Sequence, residues 1–310
     1  MPIMKTSWVL AAVAVCLSVP ASAAPKVVAS IKPVASLVAG VMAGVGAPSI
    51  IVGGGQSLHT FSMKPSDAKA LNEAEVVFWV GPGLEAFLEK PINALAGRAV
   101  VVALADAPGL RVLKGRAGGV WEKDSHDHGD HGHNHDHDHD FDGHIWLDPM
   151  NAKAMVNGIY IALSEVDAAN AAAYEANAKN LSARIDALDA ELKKKLAPVA
   201  AKPFVVFHDG YQYLETRYGL NAVGSLTVSP DRLPGARRVS EIRAKVASLK
   251  ASCVFAEPQF EPKLVNTLIE GTAARTGSLD PEASTLPAGE GLYFDLMRGL
   301  AGSLTKCLAN

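Results

Sequence analysis

Cysteine is scarce in this sequence: three occur in 310 residues, none in a CxxC pair or beside a histidine cluster. That excludes thiolate zinc fingers and thioredoxin-like redox chemistry. Aromatic residues reach only 6%, the formal net charge is −3, and no basic stripe is present, so nothing favours a nucleic-acid surface. An HExxH sequence and any evident general-base motif are missing. The GGGQS stretch from Gly53 lacks the lysine and spacing of a phosphate-binding P-loop and reads as turn chemistry. These absences point to a binding protein and away from an enzyme. Beyond Val19 no apolar run is long enough to span a bilayer core of roughly 30 Å.

What is present begins with an export signal. Lys5 supplies the positive end, Trp8 to Val19 a short apolar stretch, and Ala21-Ser22-Ala23 a small-residue cleavage pattern, so cleavage is expected near Ala23/Ala24. The leader removes Cys16 and leaves Cys253 and Cys307, an even pair in a compartment where disulfides persist, and a bridge between them is expected. The remaining length exceeds what one ordinary core fills, so two lobes are expected. We divide the chain into a signal peptide at 1–23, a first α/β lobe at 24–165 carrying a His/Asp-rich loop at 122–142, a linking helix at 166–198 and a second α/β lobe at 199–310.

Short β-branched runs alternate with helical stretches in both halves: Val27 to Ile31, Val76 to Val80 and Val100 to Leu104, then Phe204 to Phe207, Ala222 to Leu226 and Cys253 to Ala256. Such alternation predicts parallel sheets with helices on their faces. From about Asn170 to Leu196, apolar residues at Leu181, Ile185, Leu188, Leu192 and Leu196 recur every three or four positions, which predicts one long helix. Lys193 to Lys195 complement its C-terminal dipole and Pro198 stops it, so it reads as a stiff strut between the lobes.

Seven of the ten histidines lie in one run: His126, His128, His131, His133, His135, His137 and His139, interleaved with aspartate and glycine. Imidazole is the commonest ligand of zinc and its neighbours, and a segment with no apolar side chains belongs to no core, so the run reads as an auxiliary metal-collecting loop. The other three, His59, His144 and His208, sit at turns or strand ends, where open α/β sheets place ligands. Four-coordinate zinc needs a further donor; Asp280, in RTGSLDP, is the candidate carboxylate and water the competing choice. Since binding needs deprotonated imidazoles, affinity is expected to fall as pH drops through about 6.

At these residues the chain resembles the metal-binding subunits of zinc and manganese ABC importers, the cluster A-I solute-binding proteins, and within them the zinc-uptake type. The matching stretches are SLHTFSMKPSDAKAL, VFWVGPGLEAFL, DGHIWLDPMNAKAM, FVVFHDGYQYLETRYGL, VSPDRLPGARRV, CVFAEPQF and LDPEA, which run through nearly the whole chain after the leader. The resemblance implies two α/β lobes joined by a long rigid helix and a Zn2+ ion, the transported ligand, in the cleft between them. It further implies a monomer in the periplasm that delivers the ion to a permease and its ATPase at the inner membrane. Carried over residue by residue, His59, His144 and His208 are metal ligands and Asp280 matches the acidic fourth position. Histidine at 208 is the zinc-type residue where manganese-type members place glutamate, and Cys253 with Cys307 looks like the zinc-type disulfide. Leu58 departs from members that carry an acidic residue just before the first histidine. Weighed against this are a manganese-type subunit, a metal buffer or adhesin, and an exported zinc hydrolase.

Overall fold

The computed structural model describes residues 23–53, 61–116, 141–226, 236–248, 250–258 and 262–309. Most of the expected leader, His59 and the seven histidines of the 126–139 run lie outside the described residues. The rest forms two parallel-sheet lobes of like topology. In the first, β1 (Val27–Ile31), β2 (Ser49–Val52), β3 (Val76–Trp79) and β4 (Val100–Ala103) lie in the order β2-β1-β3-β4. In the second, β5 (Pro203–Val206), β6 (Asn221–Ser225), β7 (Cys253–Ala256) and β8 (Arg275–Ser278) repeat it as β6-β5-β7-β8. The pairings among these eight strands are all parallel.

The valine-rich strands β1 and β3 are buried along their whole length, as strands covered by helices on both faces must be. The two strands that local pattern misses, SIIV in β2 and RTGS in β8, are partly exposed edge strands whose place depends on a neighbour rather than on their own hydrophobicity. Helices α1 (Lys32–Val41), α2 (Pro65–Glu73) and α3 (Pro82–Leu95) belong to the first lobe; α6 (Gln212–Tyr218), α7 (Ala236–Ser248), α8 (Pro262–Ile269) and α9 (Leu292–Leu308) belong to the second.

Between the sheets run α4 (Pro149–Val166) and α5 (Ala171–Leu196). Asp148 caps α4 by accepting from Met150 N at 2.9 Å, with Pro149 preset in the first turn. Helix α5 is 26 residues long, about 39 Å. It buries Tyr174, Ala178, Leu181, Ile185, Leu188, Leu192 and Leu196 on one face and ends in Lys193 to Lys195. That face lies against α1 and α4 of the first half and α9 of the second, so the helix is embedded rather than a bare strut. One hydrophobic core therefore continues from lobe to lobe, each large side chain in it contributing about 2 kcal/mol. A smaller core around Val205, Phe207, Val254 and Val265 fills the outer face of the second sheet.

Polar ties add to the apolar seam. Lys32 Nζ donates to the carbonyls of Ala283, Ser284 and Leu286 at 2.9–3.1 Å, and Trp146 Nε1 donates to Pro281 O at 2.9 Å. Tyr293 joins Ser36 Oγ and Trp146 O, each at 3.0 Å. The Cys253–Cys307 disulfide links β7 to the end of α9 across 54 residues. Among the described residues no helix is long and apolar enough to cross a membrane.

Candidate metal centre

Where strand order reverses, at β1/β3 and at β5/β7, the carboxyl ends of parallel strands open a crevice. His208 lies two residues beyond β5, Glu257 directly beyond β7, and Asp280 two residues beyond β8. His144 reaches the same place from the first half, on the turn Asp142-Gly143-His144 that leads through a single 3-10 turn, Ile145–Leu147, into α4. Gly143 lets that turn press against α3: a Cβ on it would stand 2.6 Å from Leu84 Cβ.

The structure brings His144 and His208 face to face. Their Nε2 atoms are 3.2 Å apart, the rings are tilted at 54°, and the residues are 7% and 3% exposed. Each ring is fixed from behind. His144 Nδ1 lies 2.8 Å from Asp142 Oδ1, which also accepts His144 N at 2.9 Å; His208 Nδ1 lies 2.5 Å from Glu257 Oε1, which also accepts Tyr211 O–H at 3.2 Å. A carboxylate on Nδ1 sets the tautomer and leaves the Nε2 lone pair for a metal. With metal–nitrogen bonds of about 2.0–2.1 Å, two nitrogens at this spacing subtend about 100° at an ion between them, close to the tetrahedral angle.

The electrostatics are those of a cation site. Burial draws the His208 imidazolium down, but the Glu257 carboxylate, with further negative charge from Glu282 and Asp209, outweighs it and lifts His208 to about 9. The next residue is held by Arg116. Its Nε lies 3.0 Å from both Asp209 oxygens, its Nη1 2.6 Å from Glu215 Oε2, and its Nη2 contacts both carboxylates. One guanidinium thus ties the segment before the His/Asp-rich run to the His208 turn and to α6.

Asp280 is differently engaged. Its oxygens accept from Ser284 N at 2.9 Å, Ser284 Oγ at 3.1 Å, Thr285 N at 3.1 Å and Thr285 Oγ1 at 3.0 Å, so the carboxylate organises the 281–285 turn that Lys32 also grips. Among the described residues no group of three or more His, Cys, Asp or Glu side chains closes around one point. Of the four ligands expected from sequence, the structure brings two together, has the fourth cap a neighbouring turn, and does not describe His59.

Sequence reasoning missed Glu257 and Arg116, and counted Asp142 merely as loop acidity. Asp142 and Glu257 carried a readable signal: a carboxylate two residues before a candidate histidine, and another at the end of an apolar strand.

Two α/β lobes sharing an embedded long helix, with imidazoles converging at the strand ends, define the class as a two-lobed solute-binding protein. Residues 27–307 match the family described as zinc-uptake complex component A, periplasmic, and the chain belongs to that family. The high-affinity zinc uptake system protein ZnuA of Brucella suis is 50% identical over 91% of each chain, and that of Paracoccus denitrificans 39% identical over 99% of each. The periplasmic zinc binding protein TroA from Treponema pallidum has the same fold, with a TM-score of 0.77 at 22% identity over 92% of this chain and 99% of that one.

Proposed function

We propose that this protein captures Zn2+ in the periplasm, in the cleft between its lobes, and delivers it to the permease and ATPase of an ABC importer, acting as a monomer without catalysing a reaction. One observation carries the reading: two buried imidazoles face each other at 3.2 Å through Nε2, each braced at Nδ1 by a carboxylate. His59, His144 and His208 supply three nitrogens, and Asp280 or water the fourth donor. Three nitrogens and one oxygen favour zinc over manganese, which prefers oxygen-rich sites. The uptake role named for the relatives supports the transport step. The histidines at 126–139 act as a weak collecting store, raising local zinc concentration through their short sequence tether to His144.

The test is a zinc titration, against a chelator of known strength, of metal-stripped protein lacking residues 122–140. The deletion stops there because Asp142 braces His144. One tight site per chain is the expected result; loss of tight binding would move the site to the histidine run and make the protein a metal buffer. The same titration at matched free Mn2+ distinguishes the manganese-type alternative. In Asp280→Asn, weakened zinc binding with unchanged metal-free stability marks a ligand, whereas lowered stability alone marks the turn cap.

A further inference from the structure

His144 and His208 come from opposite halves of the chain, and the carboxylates behind them do not set the distance between them. Asp142 braces His144 from its own turn, and Glu257 braces His208 from the end of the neighbouring strand in the same sheet, so each brace aims one ring within its own half. The distance has little tolerance. With metal–nitrogen bonds of about 2.1 Å, two nitrogens more than about 4.2 Å apart cannot share an ion at any angle, and the two Nε2 atoms stand at 3.2 Å. A relative shift of about 1 Å between the halves is enough to end shared coordination.

Beside the histidines, contacts from both halves converge on one short ribbon. Asp142 N donates to Leu113 O at 2.9 Å and Lys114 pairs antiparallel with Phe141, so the second strand of this ribbon runs directly into His144. Asn151 of α4 anchors the ribbon in the first half, its side chain accepting from Arg111 N at 2.8 Å and donating to Arg111 O at 2.9 Å. From the second half, the Tyr213 hydroxyl on α6 donates to Asp142 O at 2.8 Å and accepts from Leu113 N at 3.0 Å. Arg116 then reaches the histidine-bearing turn itself: its guanidinium lies between Asp209, the residue next to His208, and Glu215 of α6. The three side chains are 19%, 16% and 9% exposed, so this charged fork is shielded from the water that weakens surface ion pairs, and its planar geometry fixes direction as well as distance.

We infer that Arg116 is a positioning residue of the metal site, holding the His208 turn against the ribbon that carries His144 so that the two imidazoles stay close enough to share one ion. The inference rests on reading the cleft as the zinc site.

The experiment compares wild type, Arg116→Met, Arg116→Lys and the double variant Cys253→Ser/Cys307→Ser in the full chain, by zinc titration against a chelator of known strength and by the rate of zinc loss into excess chelator. The disulfide variant is the control for lost stability, since the bridge lies outside the ribbon and the His208 turn. Arg116→Met is expected to bind zinc at least 10-fold more weakly than wild type and to release it faster. Arg116→Lys, which keeps the charge without the fork, is expected to fall between them, and the disulfide variant to stay within threefold of wild type. Affinity of Arg116→Met within threefold of wild type would overturn the role. So would an equal weakening in the disulfide variant, which would trace the loss to stability alone. If Arg116→Met does not fold, Arg116→Lys decides: binding at least threefold weaker than wild type supports the role, and wild-type binding refutes it. Weak binding by wild type itself would refute the zinc-cleft reading and with it the metal role of Arg116.

Discussion

Glu85→Gln is expected to remove a pH-dependent weakness from the first lobe. Glu85 is fully buried in the first turn of α3, and its Oε2 accepts from Val80 N at 2.7 Å and Gly81 N at 3.3 Å. Burial pushes its carboxyl from 4.5 up to about 7, against the pull of the Ser30 hydroxyl and the two backbone N–H groups. Because the folded value is raised, its stabilising contribution is complete below pH 4.5 and is lost as pH rises through 7. At about 1.4 kcal/mol per unit the whole loss is about 3 kcal/mol, of which about 2–3 kcal/mol falls between pH 5 and 8. Glutamine keeps an acceptor for Val80 and Gly81 and never ionises. Urea unfolding of both metal-free proteins at pH 5 and pH 8 measures the difference directly: wild type loses about 2–3 kcal/mol more than Glu85→Gln across that interval. Equal pH slopes, or a variant less stable than wild type at pH 8, would refute the assignment of a strained buried acid.

Glu257→Gln and Asp142→Asn each remove a carboxylate brace from an imidazole and are expected to weaken zinc binding about 10- to 100-fold, read by chelator competition; affinity within twofold of wild type would show that the braces do not matter. Arg116→Met removes the guanidinium that Asp209 and Glu215 share and is expected to cost about 3 kcal/mol of unfolding free energy, partly restored by Arg116→Lys; a cost below about 1 kcal/mol would show the pair to be adequately solvated. Replacing Cys253 and Cys307 by serine opens a loop of 54 residues and is expected to lower stability by about 4 kcal/mol in the chain-entropy model, seen as a shifted urea midpoint; an unmoved midpoint would mean the packing of α9 suffices alone.

The ties between lobes bear on how the ion leaves. The 281–286 segment is held to the first lobe by Lys32 and by Trp146, only two residues from His144, and is shaped from within by Asp280. With α5 and α9 burying a common apolar core as well, a wide separation of the lobes would break many contacts at once. Local movement of the 281–286 segment, or of the Arg116 contacts, breaks far fewer.

Features set by neighbours along the chain were legible in the sequence. The three-to-four spacing of Leu181, Ile185, Leu188, Leu192 and Leu196 placed α5 within one residue of its observed start, and all five are buried, because helical periodicity is written locally. The valine-rich β1 and the CVFA of β7 were read with their observed limits for the same reason, whereas the edge strands β2 and β8 take their identity from a partner strand. The histidines themselves, and the membership that resemblance implied, were also in the sequence. Only the tertiary structure decided which of their atoms meet. His144 and His208 are 64 residues apart and Glu257 is 49 beyond His208, distances over which no local pattern carries information. The fold turned Asp142 from apparent loop acidity into the brace of His144 and gave Asp280 a turn to cap. It also moved His208 from the ordinary imidazole range to about 9, since a pKa follows the charges that folding brings alongside, and those are set by packing rather than by order along the chain.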